Sequence, residues 1–410
     1  MECAVLVFIH LLPSMYNFGT TVDSSIYAAE QRILHGFEES KCRTFDPLEA
    51  DFFFVPVMVS YAAHIELGRA SGRGAELQRA FDLLSKSFDY VSDPRINPFY
   101  NRRGGTDHFW VISQDIGACL APLKFFRKVN NIVSPKKARG PFFLQTNGDR
   151  YHDPLAVLDY VTRSTTILSS AFKARLLDPR WPCYRPGEDV VIPPHFVESA
   201  SVAAHHLGDK RGQRPIFIHF RGTVRDEPLY YSRGVRQWLR DNLAPSVTSF
   251  GTNVMWGGAV MVAFNLLVGA NATASYWAEL QMSTFCLCPP GWVGWSPRFY
   301  QAMLAGCIPV LLEVNGTVDL PFSNSQDLSN FTVAVPTRDL SSLGQILQGI
   351  PFNRVVEMRF SLEHAWHDFA YMTSDLLVGA KPHQYCSKLR NGIASIFREL
   401  QAKKETRDRK

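Results

Sequence analysis

Residues 284–312 read Thr-Phe-Cys-Leu-Cys-Pro-Pro-Gly-Trp-Val-Gly-Trp-Ser-Pro-Arg-Phe-Tyr-Gln-Ala-Met-Leu-Ala-Gly-Cys-Ile-Pro-Val-Leu-Leu, the residue order of a strand, a glycine loop, a helix and a second strand. Thr284 to Cys288 is a short apolar run suited to a buried parallel strand, and Pro289 to Trp295 has the Pro, Gly and Trp content of a loop. Ser296 is placed to cap a helix with Pro297 at its first position, and Gly306 to stop it before the strand Cys307 to Leu312. A glycine loop feeding a helix N-terminus presents N–H groups at the positive end of the helix dipole, which suits a diphosphate. Arg298 and Gln301 share one face of the helix and set a cation beside a group that hydrogen-bonds a ribose, while Phe299, Ala302 and Met303 turn elsewhere. The loop is neither Walker A nor G-x-G-x-x-G, and a plain strand-loop-helix unit with a solvated Arg298 has the same spacing.

A second strand ending in glycine precedes this stretch, Pro215-Ile-Phe-Ile-His-Phe-Arg-Gly222, followed by a helix start at Tyr231-Ser-Arg-Gly-Val-Arg236. Strand-to-glycine junctions of this kind form nucleotide sites in α/β sheets. Arg221, with Gly222 beside it, Arg233 and Arg236 are therefore candidates to neutralise a diphosphate or a sugar carboxylate. Gly251 to Ala274, with Trp256, is rich in Gly and small apolar residues and reads as a variable loop region. Val197 to Arg214 reads as a linker, and its adjacent His205 and His206 face different ways, against a metal pair.

In the N-terminal half, Ala4 to Ile9 reads as a first strand and Ser24 to Phe37 as an amphipathic helix. Asp46-Pro-Leu-Glu49 has the cap, proline and glutamate of a short helix start before the apolar strand Phe52 to Val59. Capping accounts for Asp46 and Glu49 without a metal. Gly72 to Tyr90 is an amphipathic packing helix. A Gly104-Gly105 turn then delivers Asp107 and His108 to an apolar strand, with Asp115 at its end. Asp107, His108 and Asp115 are candidate general bases toward a hydroxyl; a turn-capping Asp and a structural His are the plain alternatives. Asp189 to Pro194 is a strand ended by prolines. Past the central stretch come a strand at Phe331 to Val335, an amphipathic helix at Asp339 to Ile350 and aromatic-rich helical sequence from Phe352 to Ile396.

The 410 residues, 46% hydrophobic, favour two or three globular domains. The 43 basic against 38 acidic residues leave a spread +5 with no nucleic-acid arm, and the terminal Lys-Lys-Glu-Thr-Arg-Asp-Arg-Lys reads as a solvated end. The cysteines lack zinc spacing: Cys286 and Cys288 read as small core side chains, whereas Cys42, Cys119, Cys183 and Cys386 lie near loops and suit disulfides of unspecified pairing. The apolar run Cys3 to Leu12 is too short to span a bilayer and lacks the flanks of a signal peptide, so any anchor or signal is expected to be missing from the chain. Sequons at Asn271, Asn315 and Asn330 suit a lumenal protein. With no Asp-x-Asp present, arginines and a helix dipole are expected to take the place of a metal, and no cofactor is expected.

Taken together, Ser-Thr-Phe-Cys-Leu-Cys-Pro, Gly-Trp-Val-Gly-Trp-Ser-Pro-Arg, Gly-Cys-Ile-Pro-Val and Leu-Pro-Phe resemble the exostosin family, glycosyltransferase family 47, in its plant-type xylan-synthesis version. Arg43 to Pro56, the Gly-Gly-x-Asp-His-Phe run, Phe-Arg-Gly and Ser-Arg-Gly-Val-Arg extend the resemblance over most of the chain. It departs at Gln114, where the family usually has histidine, and at Gln301, where it usually has glutamate. The resemblance implies an α/β fold of GT-B type. Two Rossmann-like domains, 1–200 on the acceptor side and 213–350 on the nucleotide-sugar side, would face across a cleft, with the 351–410 helices packing back on the first. It implies inverting, metal-independent transfer from a UDP-sugar to a polysaccharide or glycoprotein glycan, forming a β-linkage, in the Golgi lumen at a membrane. Pro289, Gly291, Ser296 and Arg298 would hold the diphosphate and Gln301 the ribose. The alternative is a non-catalytic exostosin-like subunit that binds glycan or steadies a transferase partner; a periplasmic-type sugar binder is disfavoured by the arginine and glycine strings.

Overall fold

The computed structural model describes residues 3–16, 26–60, 73–126, 140–150, 154–162, 168–177, 183–196, 214–226, 231–243, 251–255, 258–264, 270–313, 318–323, 325–371 and 391–409. The linker at 197–213, with His205 and His206, lies outside them, as do Cys386, Asn315 and Trp256.

Two sheets organise the chain. The first contains β1 (Val7–Ile9), β2 (Arg43–Thr44), β3 (Phe52–Val55), β4 (His108–Ile112), β5 (Phe142–Gln145) and β6 (Val190–Val191), all parallel, in the order β2-β1-β3-β4-β5-β6. Period-two alternation assigns its faces: Phe52, Phe54, Phe109, Val111, Phe142 and Leu144 enter one core, and Val55, Trp110, Ile112 and Phe143 the other. Sheets covered on both faces carry the continuous apolar runs seen here. Helices α1 (Ala29–Glu38), α2 (Arg73–Ser92), α3 (Pro154–Thr162) and α4 (Ser170–Leu177) connect the strands.

The second sheet contains β7 (Ile216–Gly222), β8 (Gly251–Met255), β9 (Gly258–Phe264), β10 (Ser283–Cys288), β11 (Ile308–Glu313) and β12 (Val333–Pro336), in the order β12-β11-β10-β7-β9-β8. Only β8 runs antiparallel, against β9. Without that edge strand, both sheets share one doubly wound order in which the chain goes to one side of its first strand and then to the other. The reversal falls between β1 and β3 in the first sheet and between β7 and β10 in the second. Helices α5 (Val235–Leu243), α6 (Ala270–Gln281), α7 (Pro297–Ala305) and α8 (Leu343–Gln348) accompany the second sheet, and α9 (Phe352–Ala365) and α10 (Gly392–Asp408) follow it.

Several expectations change. Gly251 to Ala274 is not a loop region: it forms the β8–β9 hairpin and the start of α6, because the apolar run Ala259 to Phe264 pairs with β7. Asp46 to Glu49 makes a capped turn, with the Leu48 N–H donating to Asp46 Oδ1 at 2.8 Å, since the next strand begins too soon for a helix. The basic terminus is not a solvated end. It continues α10 to Asp408, whose Lys404 pairs with Asp51 at 2.8 Å while Lys403 and Arg407 lie over Phe142 and Phe52. Phe397 also meets Phe37 of α1 at 4.9 Å, so this helix packs on α1 as well as on strands of the first sheet. Cys286 is not a bare core thiol. It is bonded to Cys307, the residue just before β11, their Cα atoms 5.8 Å apart, because the parallel β10–β11 register brings the two together. Cys3–Cys42 and Cys119–Cys183 are also disulfides, and Cys288 stays a buried thiol. Among the described residues no helix is long and apolar enough to cross a membrane.

Candidate functional site

Ligands of doubly wound sheets bind beyond the carboxyl ends of the strands where the order reverses. In the second sheet those are the ends of β7 and β10, where Arg221-Gly222 and the 289–295 loop stand. Ser296 caps α7 by accepting the Arg298 N–H, Pro297 takes the first helical position, and Gly306 closes the helix at φ 65°, a left-handed value that favours glycine.

Arg298 extends from this helix start to β7. Its Nε donates to the Arg221 carbonyl at 2.9 Å, and its guanidinium lies 5.1 Å from the centre of the Phe220 ring. A Cβ on Gly222 would collide with that guanidinium, so the glycine permits the approach. Arg236, in the first turn of α5, lies 5.8 Å from the same ring. It donates to the Pro290 and Thr223 carbonyls, both at 2.9 Å, and to the Tyr231 hydroxyl oxygen at 2.7 Å. Burial, then the like charge of Arg298, pull its pKa down to about 9, which leaves it a cation at neutral pH. Among the described residues neither Arg236 nor Arg298 has a carboxylate partner.

The other two arginines are paired. Arg221 meets Glu279 at 3.0 Å, and the second oxygen of that carboxylate meets His219 Nε2 at 3.1 Å. Burial lowers the His219 pKa against the pull of Glu279, so the imidazole is neutral. Arg233 contacts Asp149, at the C-terminal end of β5, and the same Asp149 oxygen accepts the Gly294 N–H at 2.8 Å. Ser232 and Arg233 hold φ of 56° and 50°, strained for side-chain-bearing residues, and the Ser232 N–H is tied to the Gly291 carbonyl at 2.8 Å. The Gly291 N–H is spent on Val293, so it does not face a ligand, and Pro289 has none to offer. Gln301 accepts the Tyr276 hydroxyl at 2.9 Å, leaving its amide N–H groups as donors.

The three base candidates are separated. Asp107 and His108 lie at the amino end of β4, both fully buried and away from the carboxyl edge. Asp107 is held between Arg102 at 3.0 Å and His108 Nδ1 at 2.8 Å. Burial raises the Asp107 carboxyl, but His108 and Arg102 outweigh it and hold it below the usual range. Burial likewise lowers the His108 imidazole, stacked 4.5 Å from Phe53. Asp115 stands at the opposite end of β4, half-buried, accepting the Tyr27 and Tyr160 hydroxyls. Its carbonyl receives the Trp295 indole N–H at 3.3 Å, and Trp292 of the glycine loop packs between Tyr160 and Tyr231. Asp115 therefore adjoins the 289–295 loop through its backbone. Asp149, Glu279 and Tyr276 escaped the sequence reading; the position of Asp149 after a parallel strand was the available signal.

This arrangement, two doubly wound sheets with arginines at a strand-order reversal, defines a Rossmann-like α/β protein. Residues 1–350 match the Exostosin GT47 domain. Over 354 residues the chain is 30% identical to a probable glucuronoxylan glucuronosyltransferase of Arabidopsis thaliana, covering 84% of this chain and 63% of that protein. It is 27% identical over 361 residues to a probable glucuronosyltransferase of Oryza sativa subsp. japonica, covering 85% of the chain and 71% of that protein. A probable beta-1,4-xylosyltransferase of Arabidopsis thaliana is 27% identical over 358 residues, at coverages of 84% and 71%. The chain belongs to the exostosin GT47 family of glycosyltransferases.

Proposed function

We propose that this chain is an inverting, metal-independent glycosyltransferase that moves a sugar from a UDP-sugar to a polysaccharide or glycoprotein glycan, forming a β-linkage. The observation that carries this reading is the pair Arg236 and Arg298, two guanidinium groups without carboxylate partners among the described residues, flanking Phe220 at a strand-order reversal. Their charge supplies what a divalent cation would otherwise provide to a leaving diphosphate. Ser296 and the α7 dipole add to it, and Gln301 donates to a ribose oxygen.

Asp115 is the base. Its carboxylate takes the proton of an acceptor hydroxyl, the hydroxyl oxygen attacks the anomeric carbon, and the bond to the diphosphate breaks with the electron pair leaving on UDP. The two tyrosine hydroxyls orient the carboxylate. The first sheet then belongs to an acceptor-side domain and the second to a donor-side domain of a GT-B enzyme, residues 1–200 and 213–350, with 351–410 packed on the first. Golgi residence at a membrane and a related transferase subunit complete the reading.

One observation favours a second reading, a non-catalytic subunit: the Gln301 carbonyl already accepts the Tyr276 hydroxyl, so a ribose meets at most one further acceptor position there beside the N–H donors. Incubation with a panel of UDP-sugars and xylan-type oligosaccharides, with chelator present and the product linkage read by NMR, separates the two. An elongated β-linked product supports the enzyme; glycan binding with neither transfer nor UDP binding supports the subunit.

A further inference from the structure

We propose that Asn330 carries an N-linked glycan, and that the first N-acetylglucosamine of that glycan lies in the groove between the turn before β12 and helices α9 and α10.

Asn330-Phe331-Thr332 is an acceptor sequence for N-glycosylation, and of the three sequons it alone has its side chains among the described residues. A sequon alone is a common pattern, so its surroundings decide. Phe331 is 3% exposed and packs near Phe369, which anchors the single helical turn Leu328–Asn330 and leaves Asn330 exposed. Asp327 caps that turn by accepting the Ser329 N–H at 3.1 Å, and the Thr332 hydroxyl donates to the Leu328 carbonyl at 2.9 Å. Among the described residues no group accepts a hydrogen bond from the Asn330 side-chain amide, so a sugar on its nitrogen disturbs no bond of the fold.

A second observation, independent of the motif and of the donor-site reading, concerns the compartment. The cysteines form three disulfides, Cys3–Cys42, Cys119–Cys183 and Cys286–Cys307, the bonds of a chain that matures in an oxidising lumen, where N-glycosylation takes place. A third is room. Asn330 lines an open groove of about 340 Å³ together with Gln326, Ser361, His364 and Arg398, within the ~300–1,000 Å³ of small-ligand clefts. These side chains offer donors and acceptors to sugar hydroxyls and an acetamide. Beside the groove His364 lies against Phe360, ring centres 4.3 Å apart, and Phe360 is 64% exposed, an apolar face of the kind a pyranose ring covers. Asn330 precedes β12 at the amino edge of the second sheet, whereas Arg221 and the 289–295 loop stand at the carboxyl ends, so the glycan leaves the candidate donor site open.

In the modification the Asn330 amide nitrogen bonds to the anomeric carbon of a lipid-linked diphosphate oligosaccharide. The carbon–oxygen bond to the diphosphate breaks with its electron pair leaving on the lipid diphosphate, and the amide loses one proton to a base of the transferring enzyme. The chain receives the sugar as it enters the lumen, and the folded groove then holds it.

The test starts from the full chain isolated from the cells that make it. Peptide mass mapping after enzymatic glycan release in heavy-oxygen water is expected to find Asn330 converted to labelled aspartate, and non-reducing digestion to find the disulfide-linked peptides. An unlabelled Asn330 in a chain with its disulfides formed overturns the proposal; a chain with every cysteine reduced overturns the lumenal reading and the proposal with it. Thermal melting tests the groove. With glycans trimmed to one N-acetylglucosamine per site, the wild-type chain is expected to melt about 2 °C or more above an identically treated Asn330→Gln chain, whose exposed glutamine breaks no bond. Equal melting of the two overturns the placement of the sugar in the groove.

Discussion

Replacing Gly222 with alanine tests the close approach at the centre of the site. The new Cβ would overlap the Arg298 guanidinium and lie 2.9 Å from Phe220 Cζ, so the arginine must leave its position over the ring. Gly222 does not hold a left-handed φ, so the backbone itself accepts alanine. The cost to the fold is therefore that of mild overpacking, about 1 kcal/mol, a few degrees at most in melting temperature. The cost to the site is larger. A displaced Arg298 loses its bond to the Arg221 carbonyl and its aim at the diphosphate, and one charge-assisted hydrogen bond is worth about 1.5–3 kcal/mol, or ~10- to 100-fold in Kd. Calorimetry with UDP and a thermal melt on one preparation separate the two effects. Wild-type UDP affinity in a folded Gly222→Ala protein would refute the reasoning, because the glycine would then have no bearing on Arg298.

Three further outcomes follow from the geometry. Asp115→Asn should lower the transfer rate by about 100-fold or more with UDP affinity unchanged, since its carboxylate bonds the Tyr27 and Tyr160 hydroxyls and not the arginines; parallel loss of UDP binding would argue against a base. Glu30, buried among Ser60 and Ser113, has its pKa raised to about 7, chiefly by burial. The folded state thus prefers the protonated form, so stability is greatest below about pH 4.5, falls by up to about 3 kcal/mol towards pH 7 and is flat above; Glu30→Gln should remove this component of the pH dependence in denaturant titrations. Cys119→Ser with Cys183→Ser opens a link spanning 64 residues and should cost about 4 kcal/mol by chain entropy, read as a lower denaturation midpoint.

The stretch at 284–312 was legible because its signals are local: Ser296, Pro297 and Gly306 act within a residue or two of their own position, and the helix begins and ends where they place it. The same locality explains the misses. The Cys286–Cys307 bond depends on strand register, which the alternation of Cys286 and Cys288 along one strand does not report. The β8–β9 hairpin was hidden by its glycines, which start each strand and look like loop composition. The basic terminus was read from charge alone, although the lysine and arginine stems lie along apolar surface and their heads reach carbonyls and Asp51. At the site, the arginines could be named from sequence but not their partners. Asp149 is 84 residues from Arg233, and Glu279 is 58 from Arg221, so which guanidinium keeps its charge is settled only by tertiary structure.

The central claim is that Arg236 and Arg298 form a diphosphate site that works without a metal. Its most direct measurement is the calorimetric titration of the purified chain with UDP in excess chelator, beside Arg298→Ala with a melting profile to confirm its fold. The account predicts saturable binding that survives the chelator and weakens by about 10-fold or more in the variant. Binding abolished by chelator, or equal in wild type and a folded Arg298→Ala protein, would contradict it.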